Sequence, residues 1–300
     1  MNIVVEIGGY RTLIEEPKDR PCFFWPNPRF APFLSADAHA PDITITIDLV
    51  RQLSTLKKPK TVFDSGAGLW QLYEDADGYL LESCLAESGV PLMQAHLSQD
   101  FSDVRVTLRT IRPKSSTRDG WSPMILMNPL LEIVLQEKLA REGGALLHSS
   151  GVLVGDDALV FCGPSGAGKS TIAEFFLGRG FTVLNDERVI LRRQGGDVRA
   201  FGTPWPGSSG LYANAQGHLA QIFAIGHGQT EHVVAPIPTR LMMTRLLQEC
   251  YLPHWDAEGV TRTVDLFARV AELYGSLQLS FRKSPDIVDF LTERFMASVG

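Results

Sequence analysis

The residues with the plainest chemistry lie in "FCGPSGAGKS", 161–170, where Gly163 to Ser170 follow the pattern G-x-x-x-x-G-K-S. Glycines in such a loop let successive backbone N–H groups converge on phosphate oxygens. The lysine adds a full positive charge, and the hydroxyl after it serves Mg²⁺. Gly163, Pro164, Ser165, Gly166, Ala167, Gly168, Lys169, Ser170 and Thr171 are therefore the expected nucleotide-binding residues. Lys169 doubles as a catalytic cation and Ser170 as a metal ligand. The context fits: "ALVF" before the loop reads as an apolar strand, and "STIAEFFL" after it as a helix whose N-terminus favours anions. A glycine-rich turn that only caps a helix would not explain a lysine in that ring of amides.

Seventeen positions after Lys169, the apolar run "FTVL" ends in Asn185-Asp186-Glu187. That separation has room for one helix and a turn before a strand returns beside the loop. Asp186 and Glu187 are then expected at the strand's C-terminal end, where open α/β sheets bind ligands. Two adjacent carboxylates divide naturally, one binding Mg²⁺ and one taking a proton from an attacking hydroxyl. The plain alternative for "NDE" is a polar turn.

"HSSGVLV", "GPSGAGKS" and "GFTVLNDERV", in that order, resemble the HPr kinase/phosphorylase family. The closer likeness is to the broader HPr-kinase-related group that includes lasso-peptide-tailoring kinases. It covers about residues 128 to 205. The resemblance implies a phosphoenolpyruvate-carboxykinase-like α/β fold and transfer of the ATP γ-phosphoryl to a hydroxyl. It implies Mg²⁺ as cofactor, Asp186 as the base, Glu187 as a metal ligand and His148 near the acceptor. Without it, a lone histidine on an apolar strand reads as a core residue. Three features depart from the family: Asp186-Glu187 in place of a common Asp-Asp, Thr171 in place of a common glutamate, and no downstream signature segment. HPr itself and phosphorylase activity are accordingly not implied.

Beyond these motifs, "FGTPWPGSSG" (201–210) is a Pro/Gly-rich loop in which Thr203 and Trp205 are candidate acceptor contacts, Trp205 alternatively anchoring the turn. "TRLMMTRLLQECYL" reads as a helix flanked by Arg240 and Arg245; either could reach the transferring phosphate, Arg240 being the candidate, and the plainer alternative is a solvated helix edge.

The elements that must position these groups fall into two expected domains, a smaller β-rich one (1–120) and a catalytic one (121–300). In the first, "NIVVEI" and "RTLIEE" flank Gly8-Gly9, "DITITID" alternates strictly, and Asp77-Gly78 separates two apolar runs. Hairpins in a small sheet or sandwich are the expectation, serving acceptor or partner recognition. "RPKSSTRDG" (112–120) is the linker candidate, and Asn128-Pro129 begins a helix carrying Leu131, Leu135 and Leu139 on one stripe. Ser284-Pro285 is expected to start a C-terminal helix.

The 300 residues carry a net charge of −6, which gives no general attraction to nucleic acid or anionic membrane. Four dispersed cysteines, an N-terminus unlike a signal peptide and no long apolar run lead to an expected cytoplasmic location. The reading is a serine-type hydroxyl kinase acting on a peptide, protein or small molecule, compatible with a homo-oligomer. Its rivals are an ATP-binding regulatory or assembly protein without productive transfer, and a P-loop ATPase.

Overall fold

Glycine chemistry starts the chain. In the computed structural model, which describes residues 2–17, 23, 27–37, 39–55, 60–66, 69–84, 89–110, 122–226 and 230–295, Gly8 and Gly9 join β1 (Asn2–Ile7) to β2 (Tyr10–Glu15). Their φ values of 61° and 76° are the left-handed pair a two-residue hairpin loop requires. With β3 (Leu34–Ser35), β4 (Ile43–Val50), β5 (Lys60–Asp64), β6 (Trp70–Asp75), β7 (Gly78–Cys84), β8 (Pro91–Ser98) and β9 (Asp103–Arg109), these strands form one sheet. Its order is β3-β1-β2-β4-β9-β8-β7-β6-β5, and Ile43, Ile45 and Ile47 turn their alternating face inward. The sheet is larger than expected, because β2–β4 and β4–β9 are parallel pairs. Parallel pairing needs long connections and leaves no local turn signal to read.

The chain divides into two compact units, Met1–Lys138 and Leu139–Gly300. The linker expected at 112–120 lies outside the described residues. The division falls inside α1 (Glu132–Arg141) rather than after 120. Lys138, the last residue of the first unit, has its ammonium 5.9 Å from the centroid of the Tyr10 ring in β2. Asn128, extended at φ −146° and ψ 120°, breaks the helical run Leu126–Leu131, and its amide donates to the Glu132 carboxylate at 2.6 Å. Leu131, Leu135 and Leu139 are all buried.

The second unit is built around one long strand. β10 (Gly144–Val154) is followed by β11 (Asp157–Cys162), α2 (Lys169–Gly178), β12 (Thr182–Asn185), β13 (Arg188–Gln194), β14 (Asp197–Phe201) and β15 (Gln216–Ile225). Then come β16 (Val233–Pro236), α3 (Thr239–Gln248), α4 (Ala257–Tyr274), β17 (Leu277–Ser280) and α5 (Ile287–Phe295). The first half of β10 pairs β13, and the second half pairs β11 on one edge and β12 on the other. The parallel β11–β15 pair closes a ring through β10, β13, β14 and β15.

Period-2 burial sorts β11 between two cores. Ala158, Val160 and Cys162 face Leu246 of α3 and Leu266 and Phe267 of α4. Leu159 and Phe161 face Ile172 and Phe176 of α2 and Ile287 and Leu291 of α5. Helices therefore cover both faces, as a sheet buried on two sides requires. The described residues make a mixed α/β protein of two sheets and five α-helices. None of those helices is long and apolar enough to cross a membrane.

β12 pairs β10 antiparallel, with Asn185 opposite Gly151, so β10 stands between β11 and β12 and the end of β12 reaches the glycine loop across it. One local expectation changes. The last helix begins at Ile287, because the Ser284 hydroxyl is committed to the Asp286 carboxylate.

Candidate functional site

The middle of β10 gathers the three motifs. Ser149 pairs with Cys162, the last residue before the glycine loop, and its N–H donates to the Glu187 carbonyl at 2.9 Å. The Ser150 hydroxyl donates to the Lys169 carbonyl at 3.0 Å. With β10 antiparallel to both neighbours, the C-terminal ends of β11 and β12 point the same way. The glycine loop and the Asp186-Glu187 turn thus flank Ser149 to Gly151. Both serines are fully buried, and they are the positioning residues the sequence reading missed. Their signal is local: two adjacent hydroxyls, directly after His148, inside a strand otherwise apolar.

In the glycine loop, Gly168 takes φ 108° as the N-cap of α2, and a Cβ there would lie 2.9 Å from the Phe281 ring. Only glycine fits that conformation and that contact. The Lys169 ammonium folds back over the loop, donating to the Gly163 carbonyl at 2.5 Å and the Pro164 carbonyl at 3.3 Å. Burial lowers its pKa, opposed by the carboxylates of Glu249 and Glu187. Lys169 therefore also holds its own loop together.

Asp186 is 1% exposed. One carboxylate oxygen accepts the Gly207 N–H at 2.8 Å and the other the Ser209 N–H at 3.0 Å. Burial raises its pKa, while those two bonds pull the other way. A raised carboxylate is a better proton acceptor near neutral pH than an ordinary one. Asn185 shapes the turn: its Oδ1 accepts the N–H groups of Glu187 and Arg188, both at 2.7 Å, and its amide donates to the Thr203 carbonyl.

Glu187 is part-exposed, with Oε1 3.5 Å from Nδ1 of His148. The His148 N–H donates to the Glu249 carbonyl at 2.6 Å. Burial first and the Lys169 charge second lower the His148 pKa, outweighing Glu187 and Glu249. The imidazole is neutral at neutral pH, so its approach to Glu187 is not an ion pair there.

A cleft of about 350 Å³ brings together Ser165, Lys169, Ser170, Thr171, Asp186, Glu187 and His148. Ser208 and Lys283 also line it; neither stood among the expected residues. The other candidates lie elsewhere. Thr203 is buried and donates to the Arg188 carbonyl, Trp205 is 2% exposed, and Arg240 is exposed on α3. None of the three lines the cleft, and burial suits Trp205 to anchoring the turn. The first unit has a larger cleft, about 470 Å³, that includes Asp75, Tyr79, His96 and Arg105.

Among the described residues, no group of three or more His, Cys, Asp or Glu side chains could hold a metal by protein ligands alone. A Mg²⁺ shared with nucleotide phosphates needs only one or two protein oxygens. The Ser170 hydroxyl and Glu187 carboxylate line one cleft and fit that demand.

No protein-family model and no curated protein matches the chain. Among solved structures it is similar to the HPr(Ser) kinase/phosphatase from Coxiella burnetii, with 13% identity and a TM-score of 0.21. That match covers 26% of this chain and 63% of the other. A superposition of that quality defines neither fold nor activity for this chain.

Proposed function

We propose that the chain is an ATP-dependent kinase of the HPr-kinase-like type, with a phosphoenolpyruvate-carboxykinase-like core, that phosphorylates a hydroxyl. The observation that carries this is the shared cleft: the glycine-loop lysine and serine line it together with a buried aspartate whose pKa is raised. The loop amides and Lys169 would hold the β- and γ-phosphates. The acceptor oxygen attacks the γ-phosphorus as the bond to the β-phosphate oxygen breaks, and Asp186 takes the hydroxyl proton. ADP leaves. A bound Mg²⁺, held by Ser170 and Glu187, would supply charge neutralisation at the phosphates. Most catalysis of this kind is positioning and charge stabilisation, which a fixed loop and buried acid provide.

A serine hydroxyl on a peptide or protein, or a small alcohol, is the proposed acceptor, and the cytoplasm the proposed compartment. The test is incubation with γ-labelled ATP, Mg²⁺ and a panel of hydroxyl-bearing peptides and small alcohols. Label transferred to an acceptor supports the reading. Tight ATP binding with no transfer favours a regulatory module, and release of free phosphate alone favours an ATPase.

A further inference from the structure

Lys283 lies far along the chain from the glycine loop, on the segment between β17 and α5, yet it lines the same cleft. The segment is tied to the loop directly: the Phe281 ring occupies the space where Gly168 would carry a Cβ. Two residues on, the neighbours of Lys283 are both committed. Arg282 donates to the Asp286 carboxylate at 2.5 Å, and the Ser284 hydroxyl donates to that same carboxylate. Asp286 also has His232 Nε2 at 3.1 Å. Its two oxygens are thus occupied by other groups. Lys283 makes no hydrogen bond or ion pair among the described residues.

An exposed lysine is ordinarily a solvated surface charge. This one differs in two respects. Its backbone is pinned on both sides, by Phe281 under the loop and by the Asp286 cluster. It also shares a cleft with Ser165, Gly166 and Lys169, the part of the loop whose amides converge on phosphate. Even with Mg²⁺ bound, a triphosphate beside Asp186 and Glu187 leaves more negative charge than Lys169 alone balances. A second cation at the loop's edge meets that demand.

We propose that Lys283 is a phosphate contact for the bound nucleotide, gripping the β- or γ-phosphate from the side opposite the Asp186-Glu187 turn's strand. The inference rests on the nucleotide-binding reading above. The ligand class is a nucleoside di- or triphosphate.

The test is calorimetric titration of the full chain with Mg-ATP and Mg-ADP, for the parent, Lys283→Gln and Lys283→Arg. Lys283→Gln should weaken Mg-ATP binding about tenfold, the order of one charge-assisted contact, and Lys283→Arg should restore most of it. The nucleotide-free melting midpoint should be unchanged, which a merely structural role would not allow. Loss for ATP alone would place the contact on the γ-phosphate, and equal loss for ATP and ADP on the β-phosphate. Parent-like affinity of Lys283→Gln for both nucleotides overturns the Lys283 contact alone. Absence of Mg-ATP binding by the parent overturns that contact and the kinase reading together.

Discussion

Nδ1 of His148 stands 3.5 Å from Oε1 of Glu187, an acid facing an imidazole that burial and Lys169 keep neutral. A bound nucleotide would bring phosphate charge into the same cleft and reverse the balance on the ring. The His148 pKa should rise on addition of Mg-ATP, as read from its ring resonances in an NMR titration. An unmoved pKa would place the phosphates away from His148.

The same depression has a consequence for stability. A histidine whose folded pKa lies below the unfolded value of about 6.5 favours the folded state only while both states are neutral. As pH falls below that value, the unfolded chain gains the proton first and stability is lost, down to the folded pKa. Melting curves between pH 7.5 and 5.5, values chosen to be about one unit either side of that pKa, should show a shallower decline for His148→Gln than for the parent. Parallel declines would remove His148 as the cause.

Asp186→Asn is less innocent than its shape suggests. Both Asp186 oxygens accept a backbone N–H, so an amide nitrogen must face either Gly207 or Ser209 as a second donor. One loop bond is lost, at about 1–3 kcal/mol for the buried donor left unsatisfied. Transfer should fall by ~10²–10⁴-fold, the usual loss with a general base, while Mg-ATP affinity survives. In the parent, the raised pKa should move the acid limb of the rate profile above the ordinary aspartate range, with activity lost as pH falls through it. Parent-rate transfer by Asp186→Asn would reject it as the base.

Lys169→Met keeps the stem and removes the charge. Since the ammonium bonds the Gly163 and Pro164 carbonyls, the variant should loosen the loop as well as lose its phosphate contact. Mg-ATP affinity should drop by at least about tenfold. Amide exchange at 163–168 should speed up without nucleotide. Unchanged affinity in calorimetry would reject the phosphate-loop assignment.

Much of this site could be read from the chain because its signals are local. The glycine loop, the strand before it and the helix after it declare themselves within a dozen residues, and β10, β11, α2 and β12 form where their apolar patterns put them. What stayed hidden is long-range. Nothing local says that Lys283 shares a cleft with Lys169, or that β10 separates β11 from β12. Trp205 and Arg240 drew attention by residue type, yet type does not say which way a side chain faces. α4 is a different case. Asp256 caps it by accepting from Glu258 and Gly259 N–H groups, and Gly275, at φ 74°, ends it. Those start and stop residues are local signals, so the helix 257–274 is legible in the sequence from its ends alone.

The last prediction separates Glu187 from Asp186 through a neighbour of both, Gly207, with a direct change at Glu187 beside it. A Cβ on Gly207 would lie 2.6 Å from Glu187 Oε2 and 3.1 Å from Asp186 Oδ2. The two acids cannot respond alike. Asp186 is buried and held by two N–H groups, whereas Glu187 is part-exposed and can swing aside. Gly207→Ala should therefore displace the Glu187 carboxylate first. If Glu187 acts through Mg²⁺, the variant should need more Mg²⁺ for half-maximal transfer, by about three- to tenfold, roughly the loss of one of several oxygen ligands. Glu187→Gln should shift the Mg²⁺ dependence in the same direction, and saturating Mg²⁺ or Mn²⁺ should restore part of the rate in both. Nucleotide affinity measured without metal should not fall in either variant, because neither change touches the glycine loop and Glu187→Gln only removes negative charge from the cleft. The check is a transfer assay across a Mg²⁺ series for the parent and both variants. A rate loss in Gly207→Ala that no metal concentration relieves would mean that Asp186, not Glu187, had been displaced, and that the division of labour between the two acids is wrong.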